Sequence, residues 1–178
     1  MRKTICGHRV IGVAGFKNAG KTTLVAALVG ELSGRGFAVS TIKHAHHSFD
    51  IDHEGRDSFR HRQAGAREVA VVARERWAII HEHAARETPA TLEEMLRRMS
   101  PCDLVIVEGY KADPHPKIEV RGATPPPREL AGDDPSIVAL AVAGGAAAAA
   151  PVPVFDRDDH AGLADFIITF MDMREAAA

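Results

Sequence analysis

The sequence holds only two cysteines, Cys6 and Cys102, in 178 residues, and they do not make a framework of disulfide pairs. Each stands just upstream of an apolar strand, so both read as reduced thiols of a cytosolic protein. Excess charge of one sign is lacking as well: the formal net charge is −2. No broad positive field is available to hold nucleic acid, and an anionic ligand must be gripped by a local site. No apolar run approaches the ~20 residues that cross a bilayer. Arg2 and Lys3 precede a short apolar stretch that leads straight into a glycine-rich loop, which reads as part of the fold and not as a signal peptide. These absences predict a soluble, cytoplasmic protein that partners neither nucleic acid nor membrane. With 46% hydrophobic and 26% charged residues, the composition is that of one globular domain over residues 1–178.

The loop is Gly15-Phe16-Lys17-Asn18-Ala19-Gly20-Lys21-Thr22. Before it, Val10-Ile11-Gly12-Val13-Ala14 reads as a buried strand; after it, Thr22 to Arg35 reads as a helix with Leu24, Val25, Leu28, Val29 and Leu32 on one face. Strand, glycine-rich loop and helix together form the context of a phosphate-binding loop. The glycines let backbone N–H groups curl toward phosphate oxygens, and the helix N-terminus adds partial positive charge. Lys21 reaches the terminal phosphates, and Thr22 offers a hydroxyl to magnesium.

Strands and helices alternate along the rest of the chain. Phe37–Ile42 reads as a second strand that delivers Lys43 and His44, followed by a polar stretch from Ala45 to Arg56. A short helix is expected from Asp57 or Ser58 through Gly65, then two strands, Glu68–Val72 and Trp77–Ile80, around a charged turn at Arg74, Glu75 and Arg76. Thr91-Leu92-Glu93-Glu94 resembles a capping box and opens a helix with the stripe Leu92, Met95, Leu96, Met99. Leu104–Val107 is a further apolar strand ending in Glu108-Gly109. Lys117–Arg121 alternates like a strand with one wet face. Ser136–Val142 and Val152–Phe155 complete the strands, 143–150 reads as a linker or a frayed helix, and a closing helix runs from Asp159 to Arg174. The predicted fold is α/β: a mostly parallel twisted sheet with helices on both faces and a small antiparallel addition.

Ligands of such sheets bind beyond the carboxyl ends of the strands. A triphosphate carries about four negative charges and arrives with magnesium, which wants hard oxygens. Thr22 is one donor, and Glu108, at the end of an apolar strand, is costly there unless paired or linked to metal. Asp50, Asp52 and Asp57 compete for the remaining role, orienting water or touching magnesium, and Asp57 before Ser58 is equally well placed as a helix cap. His44, His46, His47 and His53 cluster, with His61 further on. In an extended segment His44 and His46 share a face that Asp50 or Asp52 would complete as a metal site, but the spacing matches no closed zinc site. Contacts to a ligand or partner and solvated loop histidines are the competing readings. The base is poorly marked. Tyr110-Lys111-Ala112-Asp113 imitates a guanine-reading signature but follows the acidic strand itself, which makes it a false lead; Asp156 and Asp158 are the other candidates.

Longer stretches carry a resemblance. Lys43-His44-Ala45-His46-His47-Ser48-Phe49-Asp50-Ile51-Asp52, then Gly55-Arg56-Asp57-Ser58, Arg60-His61 and Ala64-Gly65-Ala66, resemble the MobB family, GTP-binding adapters of molybdopterin-guanine dinucleotide biosynthesis. Asp103 through Lys111, Pro116-Lys117-Ile118 and the closing Gly162-Leu163-Ala164-Asp165-Phe166 are similar too, while 122–150 carries least. The resemblance implies a homodimeric P-loop protein of the broad group of dethiobiotin synthetase and the nitrogenase iron protein. It implies GTP and Mg2+ as ligands, slow GTP hydrolysis, and as partner the guanylyltransferase MobA, which joins GMP to molybdopterin. Carried over, the phosphates fall to Gly15 through Thr23 (Gly15, Asn18, Ala19, Gly20, Lys21, Thr22, Thr23). Magnesium falls to Thr22 with Glu108 or a nearby aspartate, for which Asp52 and Asp57 are the candidates, and the candidate catalytic residues are Lys21, Glu108 and Asp52. Some members of the wider group carry a second lysine directly after the first loop glycine; here Phe16 holds that place and Lys17 follows.

As an adapter, the chain would use Lys43, Arg60, Lys111 and Lys117 toward a pterin phosphate of molybdopterin or an acidic partner face. Two other functions use the same loop. A metallochaperone GTPase would employ the histidine-rich 44–53 stretch, and a small-molecule kinase would need a lid, for which Arg56 to Arg67 is the candidate.

Overall fold

Val10, Ile11 and Val13 are β-branched and wholly or almost wholly buried, so the run that carries them is extended and central. In the computed structural model, which describes residues 1–45, 50–84, 86–124, 126–145 and 150–174, this run is strand β2 (His8–Ala14), preceded by the short β1 (Thr4–Ile5). The chain forms two compact units, Met1–His44 with Leu92–Ala178, and Ala45–Thr91.

In the first unit β1 and β2 are followed by α1 (Lys21–Gly34) and β3 (Val39–Lys43). After the second unit come α3 (Leu92–Arg98), β6 (Leu104–Glu108), β7 (Lys117–Arg121), β8 (Ile137–Val142), β9 (Val154–Asp156) and α4 (His160–Phe170). The sheet runs β3–β6–β2–β7–β8–β9, with every pair on that path parallel and β1 turned back antiparallel on β2. Successive residues of a strand point to opposite faces. Ile11, Val13, Leu104 and Ile106 accordingly pack with Leu24, Leu28 and Leu32 of α1 and Leu163 and Ile167 of α4. Val10, Val105 and Val107 pack on the other side with Leu92 and Leu96 of α3. Each of these fully buried leucines contributes about 2 kcal/mol by leaving water.

The wet face expected for Lys117–Arg121 is a correction. β7 lies between β2 and β8, and both its faces are covered: Lys117 is 1% and Glu119 0% exposed. The alternation of polar and apolar residues separates two buried faces. Lys117 Nζ donates to the Asp113 carbonyl (2.6 Å) and the Ser136 hydroxyl and stands 3.6 Å from Asp134. Glu119 accepts the amides of Leu130 (3.1 Å) and Ala131 (2.9 Å) and the Arg121 guanidinium (3.0 Å). Gly12 of β2 lies beneath this row; a Cβ there would stand 2.6 Å from His115 Nε2 and 2.9 Å from Lys117 Cγ. The closing helix is also shorter than expected, ending at Phe170, and the second strand begins at Val39 because Phe37 turns into the core instead.

The second unit holds α2 (Asp57–Gln63) and an antiparallel hairpin of β4 (Glu68–Val72) and β5 (Trp77–His81), which form a sheet of their own. Arg62 ties it together, donating to Glu82 (2.6 Å), Asp50 (3.0 Å) and Asp52 (3.3 Å). The hairpin leaves Val71, Val72, Trp77 and Ile79 exposed. Among the described residues, no helix is long and apolar enough to cross a membrane.

Candidate functional site

β2 ends at Ala14 and α1 starts at Lys21, so the glycine-rich loop spans the gap between the middle of the sheet and a helix N-terminus. Gly15 has φ +147, and a Cβ there would lie 2.5 Å from the Val120 carbonyl oxygen of β7. Any side chain would push the loop off the sheet. Asn18 (φ 65) and Gly20 (φ 97) are left-handed on either side of buried Ala19. Such curled backbone brings successive amides toward one point, which suits an anion. The Ala19 amide donates to the Phe16 carbonyl (3.3 Å) and the Leu24 amide to that of Gly20 (2.9 Å), fixing the curl to the first helical turn.

The charged groups converge on the same edge. Lys21 Nζ donates to the Phe16 carbonyl at 2.7 Å, closing over the loop. Burial first, then the neighbouring ammonium of Lys111, hold Lys21 below the ordinary lysine value; Glu108 opposes the shift and Lys43 adds to it. Such a cluster of cations is relieved by a polyanion. The parallel register sets Glu108 beside Val13 on one side and Lys43 on the other. The Thr22 hydroxyl donates to Glu108 at 3.1 and 3.2 Å from its two oxygens, and Lys43 Nζ lies 3.6 Å from the same carboxylate. A hydroxyl and a carboxylate, both hard oxygen donors, thus meet where the helix begins, which fits a magnesium ion and not a soft metal.

The structure brings together Gly15, Asn18, Ala19, Gly20, Lys21, Thr22 and Glu108, with Thr23 on the exposed first turn of α1. Asp52 and Asp57 belong to the second unit, and their part in the site rests on the sequence pattern alone. There Asp52 accepts from the Ser58 hydroxyl (2.8 Å) as well as from Arg62, and Asp57 opens α2. His46 and His47 lie outside the described residues; the His44 ring packs on Tyr110 with centroids 4.5 Å apart. Lys117 is withdrawn from the surface cations, since its ammonium is held inside the first unit.

Sequence reasoning missed Arg157. It follows β9, and its Nη1 would stand 3.3 Å from a Cβ built on Gly20, so a guanidinium borders the end of the loop. Its neighbours were the visible signal. Asp156 accepts the Asp158 amide (2.9 Å), and Asp158 accepts from Arg157 Nε (3.1 Å), so both acids serve the turn that holds the arginine.

The family model for MobB, molybdopterin guanine dinucleotide synthesis protein B, matches residues 10–143. The chain is 37% identical over 166 residues to the molybdopterin-guanine dinucleotide biosynthesis adapter protein of Escherichia coli, covering 91% of this chain and 93% of that protein. It is 41% identical over 111 residues to the adapter protein of the same name from Haemophilus influenzae, an alignment that spans 61% of each. A crystal structure of molybdopterin-guanine biosynthesis protein B superposes with TM-score 0.70 at 25% identity, over 92% of this chain and 99% of that one. Bacillus subtilis MobB superposes with TM-score 0.69 at 23% identity, over 90% and 96%, a likeness of fold. The fold is that of the P-loop nucleotide-binding proteins.

Proposed function

The chain belongs to the MobB family, and from that membership we propose that it is a GTP-binding adapter in the making of molybdopterin guanine dinucleotide. The observation that carries this reading is the meeting of Lys21, Thr22 and Glu108 at the mouth of a loop whose backbone only glycine permits at residue 15. The phosphates of GTP take the loop from Gly15 to Thr23, with the Lys21 ammonium released from Phe16 toward them. Thr22 and Glu108 hold the magnesium ion that accompanies them. When bound, magnesium neutralises phosphate charge and draws electrons from the bridging oxygens. Hydrolysis is slow, because Lys21 and Thr22 bind and neutralise but neither is a base for water.

Lys43 and Lys111 stand beside the loop and offer cations to an acidic partner face or to the phosphate of molybdopterin. The partner is the guanylyltransferase MobA, and the setting is the cytoplasm. The exposed Val72, Trp77 and Ile79, which the hairpin register sets on one face, supply an apolar surface for a second copy. Trp77→Ser would then leave a monomer in analytical ultracentrifugation where the parent is a dimer. The test of the adapter role is a pull-down with GTP present, followed by a GMP-transfer assay on what is recovered. Recovery of a molybdopterin guanylyltransferase whose transfer rises with this protein supports it; absence of both contradicts it.

A further inference from the structure

At the end of the hairpin in the second unit, two imidazoles and a carboxylate converge that carry none of the roles assigned above. His81 Nε2 lies 3.3 Å and His83 Nδ1 3.8 Å from Glu87 Oε1, and the three donor atoms all fall within 4.8 Å of one another. A tetrahedral zinc ion with bonds of 2.0–2.1 Å separates its ligands by about 3.3 Å. The observed spacing therefore needs only small side-chain movements to close on one ion. The two rings stand nearly edge to face, centroids 5.2 Å apart and planes at 72°, so neither blocks the other's approach.

The surroundings orient the donors. Strand register sets Glu68 directly opposite His81, and Glu68 Oε1 lies 2.8 Å from His81 Nδ1. Both ring nitrogens of His81 thus face carboxylates; an ion bound at Nε2 would take the place of a proton on the Glu87 side and leave Nδ1–H donating to Glu68, the carboxylate–histidine arrangement that supports metal-bound imidazoles. On Glu87, Oε2 accepts the Ala84 amide at 3.1 Å, which leaves Oε1 for the histidines. Arg67 Nη2 stands 3.3 Å from both Glu87 oxygens on a side chain that is 70% exposed. It supplies the positive charge that an ion would replace, and it can swing out to solvent at little cost.

We propose that His81, His83 and Glu87 form a site for a borderline divalent metal ion, with zinc as the natural probe. Two nitrogens and one oxygen disfavour magnesium and calcium, which take oxygen shells. Three protein ligands leave a tetrahedral ion one open position. A cavity of about 460 Å³ lined by Arg62, Gly65, Ala66, Arg67, Glu82 and His83 borders His83 and gives a path in from solvent. The site is an exchangeable one, able to take water or a small anion as fourth ligand.

The test uses the full chain without added affinity histidines, stripped by a chelator and titrated with Zn2+ against a chromophoric competitor. The expected result is one Zn2+ per chain, with His83→Ala and Glu87→Gln each weakening it about tenfold or more, and Glu68→Gln weakening it by a similar factor through His81. Cobalt substitution should give the visible bands of a four-coordinate ion, lost in His83→Ala. Circular dichroism spectra and urea midpoints matching the parent's certify the folding of the variants. No stoichiometric binding, or full-strength binding in His83→Ala that is lost instead on replacing His44 and His53, would overturn the assignment.

Discussion

Thr22 and Glu108 stand 86 residues apart in sequence, yet the hydroxyl of one lies 3.1 Å from the carboxylate of the other. The sheet order makes this meeting: β2 and β6 are neighbours, so the helix that follows one begins beside the end of the other. Glu108→Gln keeps the shape and removes the charge. GTP affinity should stay within about threefold while the turnover of magnesium-dependent hydrolysis falls about tenfold or more. Single-turnover kinetics at saturating GTP check it, and equal rates would remove Glu108 from the mechanism.

Arg157 borders the loop at Gly20. Its guanidinium is placed to make a charge-assisted contact with a bound nucleotide. Arg157→Ala should raise the Kd for GTP about tenfold, or about 1.4 kcal/mol, with Arg157→Lys between. Calorimetry with both variants measures this; an unchanged Kd would leave the arginine a purely structural neighbour.

The contrast between Glu108 and Arg157 shows how far residues alone carry the reading. The loop was legible because phosphate binding constrains backbone and side chains within eight consecutive positions, Gly15 to Thr22. Glu108 was legible because an acid after four apolar residues has few reasons to be there. Arg157 depends on where β9 ends relative to α1, and that follows from a strand order no local pattern encodes. β7 misled for the same reason: Lys117 and Glu119 look like a wet face until β8 covers them. His81, His83 and Glu87 match no familiar metal spacing, and Glu68 joins them only through hairpin register. The choice between Asp52 and Asp57 stayed open in sequence, and the binding of Asp52 to Ser58 and Arg62 describes its own unit only.

The buried carboxylate of Glu119 holds two amides and one guanidinium. Glu119→Ala takes the acceptor from two part-buried amides and leaves Arg121 only Glu129, and should cost about 3 kcal/mol. Urea unfolding at neutral pH checks this; a loss below about 1 kcal/mol would mean that water reaches the strand.

His115 is wholly buried, and neither ring nitrogen has a hydrogen-bond partner among the described residues. Burial, with a smaller push from Lys117 and against Asp134, holds its pKa down at about 4 from 6.5. The folded state resists a proton that the unfolded chain accepts. Stability from this group is therefore complete above pH 6.5 and falls as pH drops toward 4, by roughly 2 kcal/mol at pH 5. His115→Asn should lose that part of the acid sensitivity. Urea midpoints of parent and variant at pH 7 and pH 5 decide it; parallel shifts would contradict a buried neutral ring.

The claim beneath the rest is that the loop from Gly15 to Thr22 holds a nucleoside triphosphate. Calorimetric titration of the parent and Lys21→Ala with GTP and magnesium tests it most directly. The expected result is one GTP per chain for the parent, weakened at least about a hundredfold in the variant, as loss of a charged phosphate contact at about 3 kcal/mol requires. Equal binding by the two proteins, or none by the parent, would contradict the account.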